Sequence, residues 1–122
     1  MQFAIKNLSS MLITAALSVS AVHADDTGFA SIHAWRSERG ITCMVDHFHS
    51  GNGEGRTKKA ALRSAIASWE GFTAWEYGTD WARFKSAGSR GVTYTKAGGG
   101  WSANVEARPC NRRMRTKRRR RR

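Results

Sequence analysis

Two histidines with one residue between them, His47 and His49, are the side chains of this sequence best suited to chemistry at neutral pH. Residues two apart on a strand point to the same face, so the pattern predicts two neighbouring imidazoles. Such a pair can act as general acid and base in a small secreted hydrolase, for example a ribonuclease. With Asp46 or His33 it can also supply ligands for zinc or copper, but two histidines alone do not complete a site. We therefore predict no catalytic residue, no metal and no cofactor, with the hydrolase as an alternative hypothesis.

A second group of candidates is cationic and lies at the predicted start of a helix. The glycine-rich segment SGNGEG is followed by four basic residues: Arg56, Lys58, Lys59 and Arg63. The helix dipole disfavours each positive charge there by about 0.3–1 kcal/mol. The free N–H groups of a first helical turn attract anions, and Lys59 and Arg63 share a helix face. The segment therefore predicts an anion-binding site, and a solvated helix start is the alternative.

The segment of residues 111–122 is the most basic part of the chain. It holds nine of the 21 lysines and arginines and no acidic residue. These nine are Arg112, Arg113, Arg115, Lys117, Arg118, Arg119, Arg120, Arg121 and Arg122. Like charges at this density repel one another and bury no apolar surface, so we predict a disordered tail. Such a tail binds phosphate or carboxylate polymers, and salt weakens the binding. A solubilising tail without a specific partner is the alternative.

The first residues have the pattern of a secretory signal peptide. Lys6 precedes an apolar stretch that closes on small residues up to Ala24. The stretch is shorter than the about 20 residues that a membrane-spanning helix needs. We predict a signal peptide over residues 1–24, a mature chain from Asp25, and a periplasmic or extracellular location with no later membrane span.

The two cysteines of the chain, Cys43 and Cys110, predict one disulfide. An even cysteine count in an exported chain is typical of bridges rather than of free thiols. The chain-entropy argument gives a bridge of this span a stabilising contribution of about 4 kcal/mol. The bridge leaves no thiolate for catalysis, and there is no C-x-x-C pair for a metal.

Hydrophobic periodicity predicts the elements that must position these residues. Alternation predicts a hairpin over about 29–36 and 41–49 and a second hairpin over about 90–97 and 100–109. Between them, SGNGEG is interpreted as a flexible loop, because three of its residues are glycine. Apolar residues at helical spacing predict a helix that follows this loop and stops at Gly78. The segment TDWARFKSAG predicts a second short helix.

The resulting order, ββ-α(α)-ββ, predicts the fold class. One small α+β domain over residues 25–110 with an antiparallel sheet of about four strands and helices on one face is the economical arrangement. This segment has 11 basic and 9 acidic residues, so the chain's net charge of +12 resides mainly in the tail.

The stretch of about residues 41–70 resembles the hairpin–helix half of a double-stranded RNA-binding domain. In that family a β-hairpin leads through a glycine-containing loop into a helix that opens with a lysine pair. The lysines contact phosphates, and recognition is mostly by shape. The resemblance implies that Lys58 and Lys59 are phosphate ligands. The family's first helix has no counterpart here, and Leu62 stands at a position that is often basic in the family.

These features favour a small exported protein that binds polyanions without catalysis. The predicted partners are nucleic acid, lipopolysaccharide or another acidic envelope polysaccharide, and anionic membrane surfaces. One alternative is the secreted hydrolase that uses His47 and His49. Another is a secreted effector whose basic tail directs it to nuclei or membranes.

Overall fold

The structure is a computed structural model, and it describes residues 24–115. Within these residues the chain forms one α-helix, six strands and three short 3₁₀ turns. The helix is α1 (Lys58–Tyr77), and the strands are β1 (Trp35–Glu38), β2 (Ile41–Met44), β3 (His49–Gly55), β4 (Gly88–Ala97), β5 (Gly100–Arg108) and β6 (Cys110–Arg115). The predicted α+β class is confirmed. The predicted signal peptide, apart from Ala24, and residues 116–122 of the predicted tail lie outside the described residues.

The strands form two antiparallel sheets of three strands each, in the orders β1-β2-β6 and β3-β5-β4. We had predicted a single sheet of about four strands. The division falls at Pro109, which alone separates β5 from β6. A proline has no N–H to donate to a ladder, so a continuous strand is interrupted there. The chain thereby leaves the sheet of β3 and β4 and pairs with β2 in the other sheet.

The segment interpreted as a flexible loop is a strand, and this part of the prediction is wrong. β3 begins at His49 and pairs along its whole length with β5, whereas the predicted strand over 41–49 ends at Met44 as β2. The alternating glycines of β3 lie against α1. A Cβ atom on Gly53 would lie 2.6 Å from the carbonyl carbon of Ser64, too close for any side chain. The glycines therefore allow the helix backbone to lie directly on the strand.

The predicted helix is confirmed as α1. Thr57 caps its start, where the Thr57 Oγ1 accepts a hydrogen bond of 3.1 Å from the N–H of Ala60. Gly78 follows its last residue with a φ of 101°. Five residues four apart form its buried stripe: Ala61, Ala65, Trp69, Thr73 and Tyr77. No helix among the described residues is long and apolar enough to cross a membrane.

The predicted second helix is wrong. The segment TDWARFKSAG forms two 3₁₀ turns, Thr79–Trp81 and Phe84–Ser86, that cover the ends of two apolar cores. Trp81 lies in the core under β2, and Phe84 packs edge-to-face on Trp69 in the core under β5. Each short turn therefore buries one aromatic ring in a different core. A regular helix would instead place Trp81 and Phe84, three residues apart, on a single face.

The predicted disulfide is confirmed between Cys43 and Cys110, which are directly paired residues of β2 and β6. The strand β6 continues to Arg115, so residues 111–115 are ordered and not the start of a disordered tail. Asn111 explains why this basic segment pairs. Its side chain is buried, and its Oδ1 accepts hydrogen bonds from the N–H groups of Arg113 and Met114. These bonds hold the backbone at an irregularity in the β2–β6 pairing.

Arg108 of β5 joins the two sheets. Its side chain is buried, and its Nη2 donates to both carboxylate oxygens of Glu38 on β1, at 2.6 and 2.9 Å. Its Nη1 donates to the carbonyl oxygen of Met44. Burial acts to raise the pKa of Glu38, but the hydrogen bonds from Arg108 and Arg36 outweigh it and hold this pKa below its usual value. The ion pair therefore links β5 of one sheet to β1 of the other.

Candidate functional site

Basic side chains and aromatic rings meet at the N-terminal end of α1. The Nζ of Lys58 lies 4.7 Å from the ring centroid of Trp101 and 5.4 Å from that of Tyr94. The Nζ of Lys96 lies 5.5 Å from the Trp101 centroid. Lys96 and Trp101 are cross-strand partners on β4 and β5, next to the turn that joins these strands. These four residues, Lys58, Tyr94, Lys96 and Trp101, are called the cationic platform below.

The other basic residues predicted around the helix start lie close to the platform. Arg56 and Trp101 line one open cleft of about 450 Å³, together with Glu54. Lys59 and Arg63 are exposed on α1. Among residues 24–115, none of these basic side chains forms an ion pair. Positive charge therefore accumulates at this end of the helix, where the helix dipole adds to it.

The basic residues of β6 have a different environment. The Nε of Arg113 lies 3.0 Å from a carboxylate oxygen of Asp80. Arg112 and Arg113 line a cleft of about 500 Å³ with Asp25, Glu70 and Asp80. Acidic neighbours therefore offset part of this charge, and these arginines do not extend the platform. Lys117 and Arg118–Arg122 lie outside the described residues.

Three histidines gather at the opposite end of α1. His49 is the first residue of β3, and His47 lies in the irregular segment before it. Their ring centroids are 5.0 Å apart, and the ring of His33 stacks on that of His47 at 4.0 Å. Tyr77 stacks on His49 at 5.0 Å, and its hydroxyl lies 2.7 Å from the Nε2 of His33. These residues together with Glu76 are called the histidine cluster.

Hydrogen bonds determine which nitrogen of His49 carries a proton. The Thr73 Oγ1 donates to the carbonyl oxygen of Trp69 at 2.7 Å and contacts the Nδ1 of His49 at 2.8 Å. The carbonyl oxygen only accepts, so both bonds form together only when His49 Nδ1–H donates to Thr73. The neutral ring then has its lone pair on Nε2. This Nε2 lies 3.0 Å from a carboxylate oxygen of Glu76.

Burial sets the protonation of the cluster. It lowers the pKa of His49 to about 4, against the opposing attraction of Glu76, because the residue is only 3% exposed. Burial also lowers the pKa of His47, and repulsion from His33 adds to this effect. Burial raises the pKa of Tyr77 to about 12. At neutral pH the rings of His47 and His49 are therefore uncharged, and Tyr77 is a phenol that can donate a proton.

The pKa and the burial of these histidines can be compared with the requirements of acid–base catalysis. A general acid or base works best when its pKa lies near the operating pH, and it must reach the substrate. His49 meets neither condition at neutral pH, since its pKa is about 4 and its ring is enclosed. His47 is partly exposed and is the more accessible member of the pair.

Exposed apolar side chains border the histidine cluster. Phe29 and Ile32 come from the first 3₁₀ turn and line a cleft with Trp75 and Glu76. The exposed fractions of Ile32 and Trp75 are both 75%. Phe72 stacks on Trp75 and also contacts the ring of His49 at 4.7 Å between centroids. Phe72 therefore covers His49, while Glu76 also borders an apolar cleft at the surface.

The sequence predicted only part of each site. For the platform a signal for more existed, since alternation on either side of the glycine turn places Lys96 opposite Trp101. For the cluster, His33, His47 and His49 were candidates, but nothing local in the sequence places Glu76 or Tyr77 of α1 beside them. The predicted closeness of His47 and His49 is correct, although only His49 belongs to a strand.

Comparison with protein-family models, with curated proteins and with solved structures finds no match to this chain.

Proposed function

We propose that this chain is an exported protein that binds polyanions without catalysis, and that the cationic platform is its recognition surface. One observation carries the proposal: two lysines from different elements, Lys58 and Lys96, lie beside the same indole of Trp101. Like charges repel, so such a pair is favoured when an anionic group lies between the two ammonium groups. The indole also attracts each cation by about 0.5–1 kcal/mol at an exposed site.

Neighbouring residues extend the surface into a groove for a polymer. Arg56 borders the cleft beside Trp101, and Lys59 and Arg63 continue the positive charge along the helix. Aromatic faces next to cations suit polymers that alternate flat or sugar units with anionic groups, such as nucleic acid or acidic envelope polysaccharide. The resemblance to a double-stranded RNA-binding domain assigns phosphate contacts to Lys58 and Lys59, which begin α1. It supports nucleic acid as the first ligand to test.

The remaining basic residues raise affinity in this proposal. Lys117 and Arg118–Arg122 add a dense positive charge that attracts any polyanion, and Arg115 precedes them at the end of β6. Export is part of the same proposal. It is supported by the signal-peptide pattern of residues 1–24 and by the Cys43–Cys110 bridge, since disulfides persist in oxidising compartments.

The test measures binding of double-stranded RNA, double-stranded DNA and lipopolysaccharide to the chain from Asp25 onward. The variant Lys58→Gln/Lys96→Gln removes both platform charges. We expect its affinity for the preferred polymer to fall roughly tenfold or more, since each lost charged contact contributes about 1 kcal/mol or more. The variant Arg83→Gln/Lys85→Gln is the matched control, because it removes two exposed charges that are not part of the platform, and Arg83 lines a different cleft. Its affinity should change much less.

A chain that ends at Arg115 separates the platform from the tail. It retains β6, which a chain ending at Cys110 would lose. The proposal predicts weaker binding by this shortened chain, with preserved discrimination among the three polymers. If the shortened chain binds none of them and the platform variant binds as tightly as the parent, the tail acts alone and the platform is not a recognition surface.

A further inference from the structure

The histidine cluster brings three metal-ligating side chains together from two parts of the fold. His49 is the first residue of β3, His47 lies in the irregular segment before it, and Glu76 comes from the last turn of α1. One ligand atom of each residue lies within 4.8 Å of the ligand atoms of the other two. Ligands of a tetrahedral ion at about 2.0–2.1 Å are ~3.3 Å apart, so these ligand atoms need to approach one another by at most ~1.5 Å.

The contacts of His49 place its Nε2 beside a carboxylate. Its Nδ1–H donates to Thr73, so its Nε2 is an acceptor, and a carboxylate oxygen of Glu76 lies 3.0 Å away. Two acceptors at this distance repel each other. A divalent ion relieves the repulsion and is compatible with a neutral imidazole ligand.

His47 is held in the same way by its surroundings. Its Nε2 is buried and has no hydrogen-bond partner among residues 24–115, as is also true of the Nε2 of His49. The ring of His33 stacks on His47, and the Tyr77 hydroxyl fixes His33 through its Nε2. Buried polar atoms are nearly always paired in folded proteins, so the unpartnered Nε2 of His47, beside the Nε2 of His49 and the Glu76 carboxylate, favours a bound ligand.

We infer that His47, His49 and Glu76 bind a divalent transition-metal ion of the zinc class. Two imidazoles and one carboxylate are a ligand set that suits Zn²⁺ and leaves a fourth position for water or a substrate group. Thr73 is a positioning residue, because its hydroxyl fixes the tautomer and orientation of His49. The ring of Phe72 packs on His49 beside this site.

The experiment uses the full mature chain without a histidine tag, oxidised and treated with a chelator. Zn²⁺ is titrated by calorimetry against a competing chelator, and Co²⁺ is titrated with detection of its visible absorption bands. We expect one Zn²⁺ per chain and Co²⁺ bands typical of four-coordination. His47→Asn and Glu76→Gln each remove one ligand while the buried His49 stays in place, and each should weaken Zn²⁺ binding at least tenfold. Thr73→Val should weaken it by about 10–100-fold.

The matched control is Glu70→Gln, which removes the same charge from the same helix outside the cluster. Its Zn²⁺ affinity should equal that of the parent. Circular dichroism of each variant confirms that loss of binding is not loss of folding. The inference is overturned if the parent chain binds no stoichiometric Zn²⁺, or if His47→Asn and Glu76→Gln bind it as tightly as Glu70→Gln. The platform variant Lys58→Gln/Lys96→Gln should bind Zn²⁺ normally, so this inference stands apart from the proposed polyanion binding.

Discussion

The two ends of α1 carry aromatic and ionisable side chains in opposite settings. At the N-terminal end, Lys58 lies at the protein surface beside the rings of Tyr94 and Trp101. At the C-terminal end, aromatic rings enclose His49, which is 3% exposed. The exposed side chains keep their positive charge in contact with water. The enclosed imidazoles are neutral at pH 7 and present lone pairs instead.

Burial and residue type together make the two ends suited to different ligands. Exposed ammonium groups attract anions over a distance set by salt. Buried neutral imidazoles next to a carboxylate attract metal cations at contact distance. The strand β3 runs between the two ends, with His49 as its first residue and Gly55 near the platform as its last. One rigid pairing of strand and helix therefore positions both.

Removal of the disulfide should give the largest effect. Cys43→Ala/Cys110→Ala should lower the free energy of unfolding by about 4 kcal/mol, because the bridge spans 67 residues of sequence. The bridge joins β2 to β6, on the sheet that packs near the histidine cluster. Hydrogen exchange should therefore show a greater loss of protection in β2 and β6 than in β4. Equal loss of hydrogen-exchange protection in both sheets would show that the two ends of α1 are not separately stabilised.

The contact of β3 with α1 gives the next prediction. Gly53→Ala places a methyl group against the helix backbone and should cost about 3 kcal/mol in chemical denaturation. Gly71→Ala is the control, since an added Cβ at this helical position meets nothing within 4 Å. It should stabilise the protein by about 0.5–1 kcal/mol. If both substitutions change the free energy of unfolding in the same direction, the close approach of helix and strand is not the constraint that positions the two sites.

Acid should destabilise the protein through the cluster. The folded pKa of His49 is about 4 and the unfolded value is near 6.5, so between these values the unfolded state binds more protons. The stability that His49 contributes is therefore complete above pH 6.5 and is lost as the pH falls toward 4, by about 3 kcal/mol in total. The lowered pKa of His47 acts in the same direction.

His49→Gln isolates this effect, because the amide cannot titrate and can still bond to Thr73. Denaturation free energies of the variant should vary less between pH 6.5 and 4 than those of the parent. Parallel pH profiles for the two proteins would contradict the burial of a neutral His49. Both measurements are made in the presence of a chelator, so that bound metal does not change the profile.

The smallest predicted effect is at the helix start. Thr57→Ala removes the side-chain cap that accepts a hydrogen bond from Ala60 and should lower stability by about 1 kcal/mol. The loss should loosen the first turn, which holds Lys58, and leave Zn²⁺ affinity at the other end unchanged. A change in Zn²⁺ affinity that equals the change in polyanion affinity would show that the two ends are coupled.

The sequence predicted those helices and strands in which buried apolar residues recur at a regular spacing. The spacing of Leu62, Ala65 and Trp69 predicted α1, and alternation predicted β5 from Trp101 onward, because both segments carry enough apolar residues to show their buried face. The cysteine count predicted the bridge, since two cysteines allow one intramolecular pairing.

Elements stabilised by partners distant in sequence were not predictable. Gly51, Gly53 and Gly55 indicate a loop when considered alone, and they form a strand because small residues of α1 lie against them. The arginines of β6 indicate a disordered tail when considered alone. The segment nevertheless pairs with β2, because Cys110 and the buried Asn111 anchor the strand. Neither cause is visible within a short window of sequence.

The most direct test of the central claim is the salt dependence of binding to a nucleic-acid duplex. The slope of log Kd against log salt concentration counts the phosphate contacts that a protein makes. Lys58→Gln/Lys96→Gln should lower the slope by about two relative to the parent, roughly one for each lysine. Arg83→Gln/Lys85→Gln should leave the slope unchanged. An equal slope and equal affinity for the platform variant and the parent would contradict the assignment of polyanion binding to this end of α1.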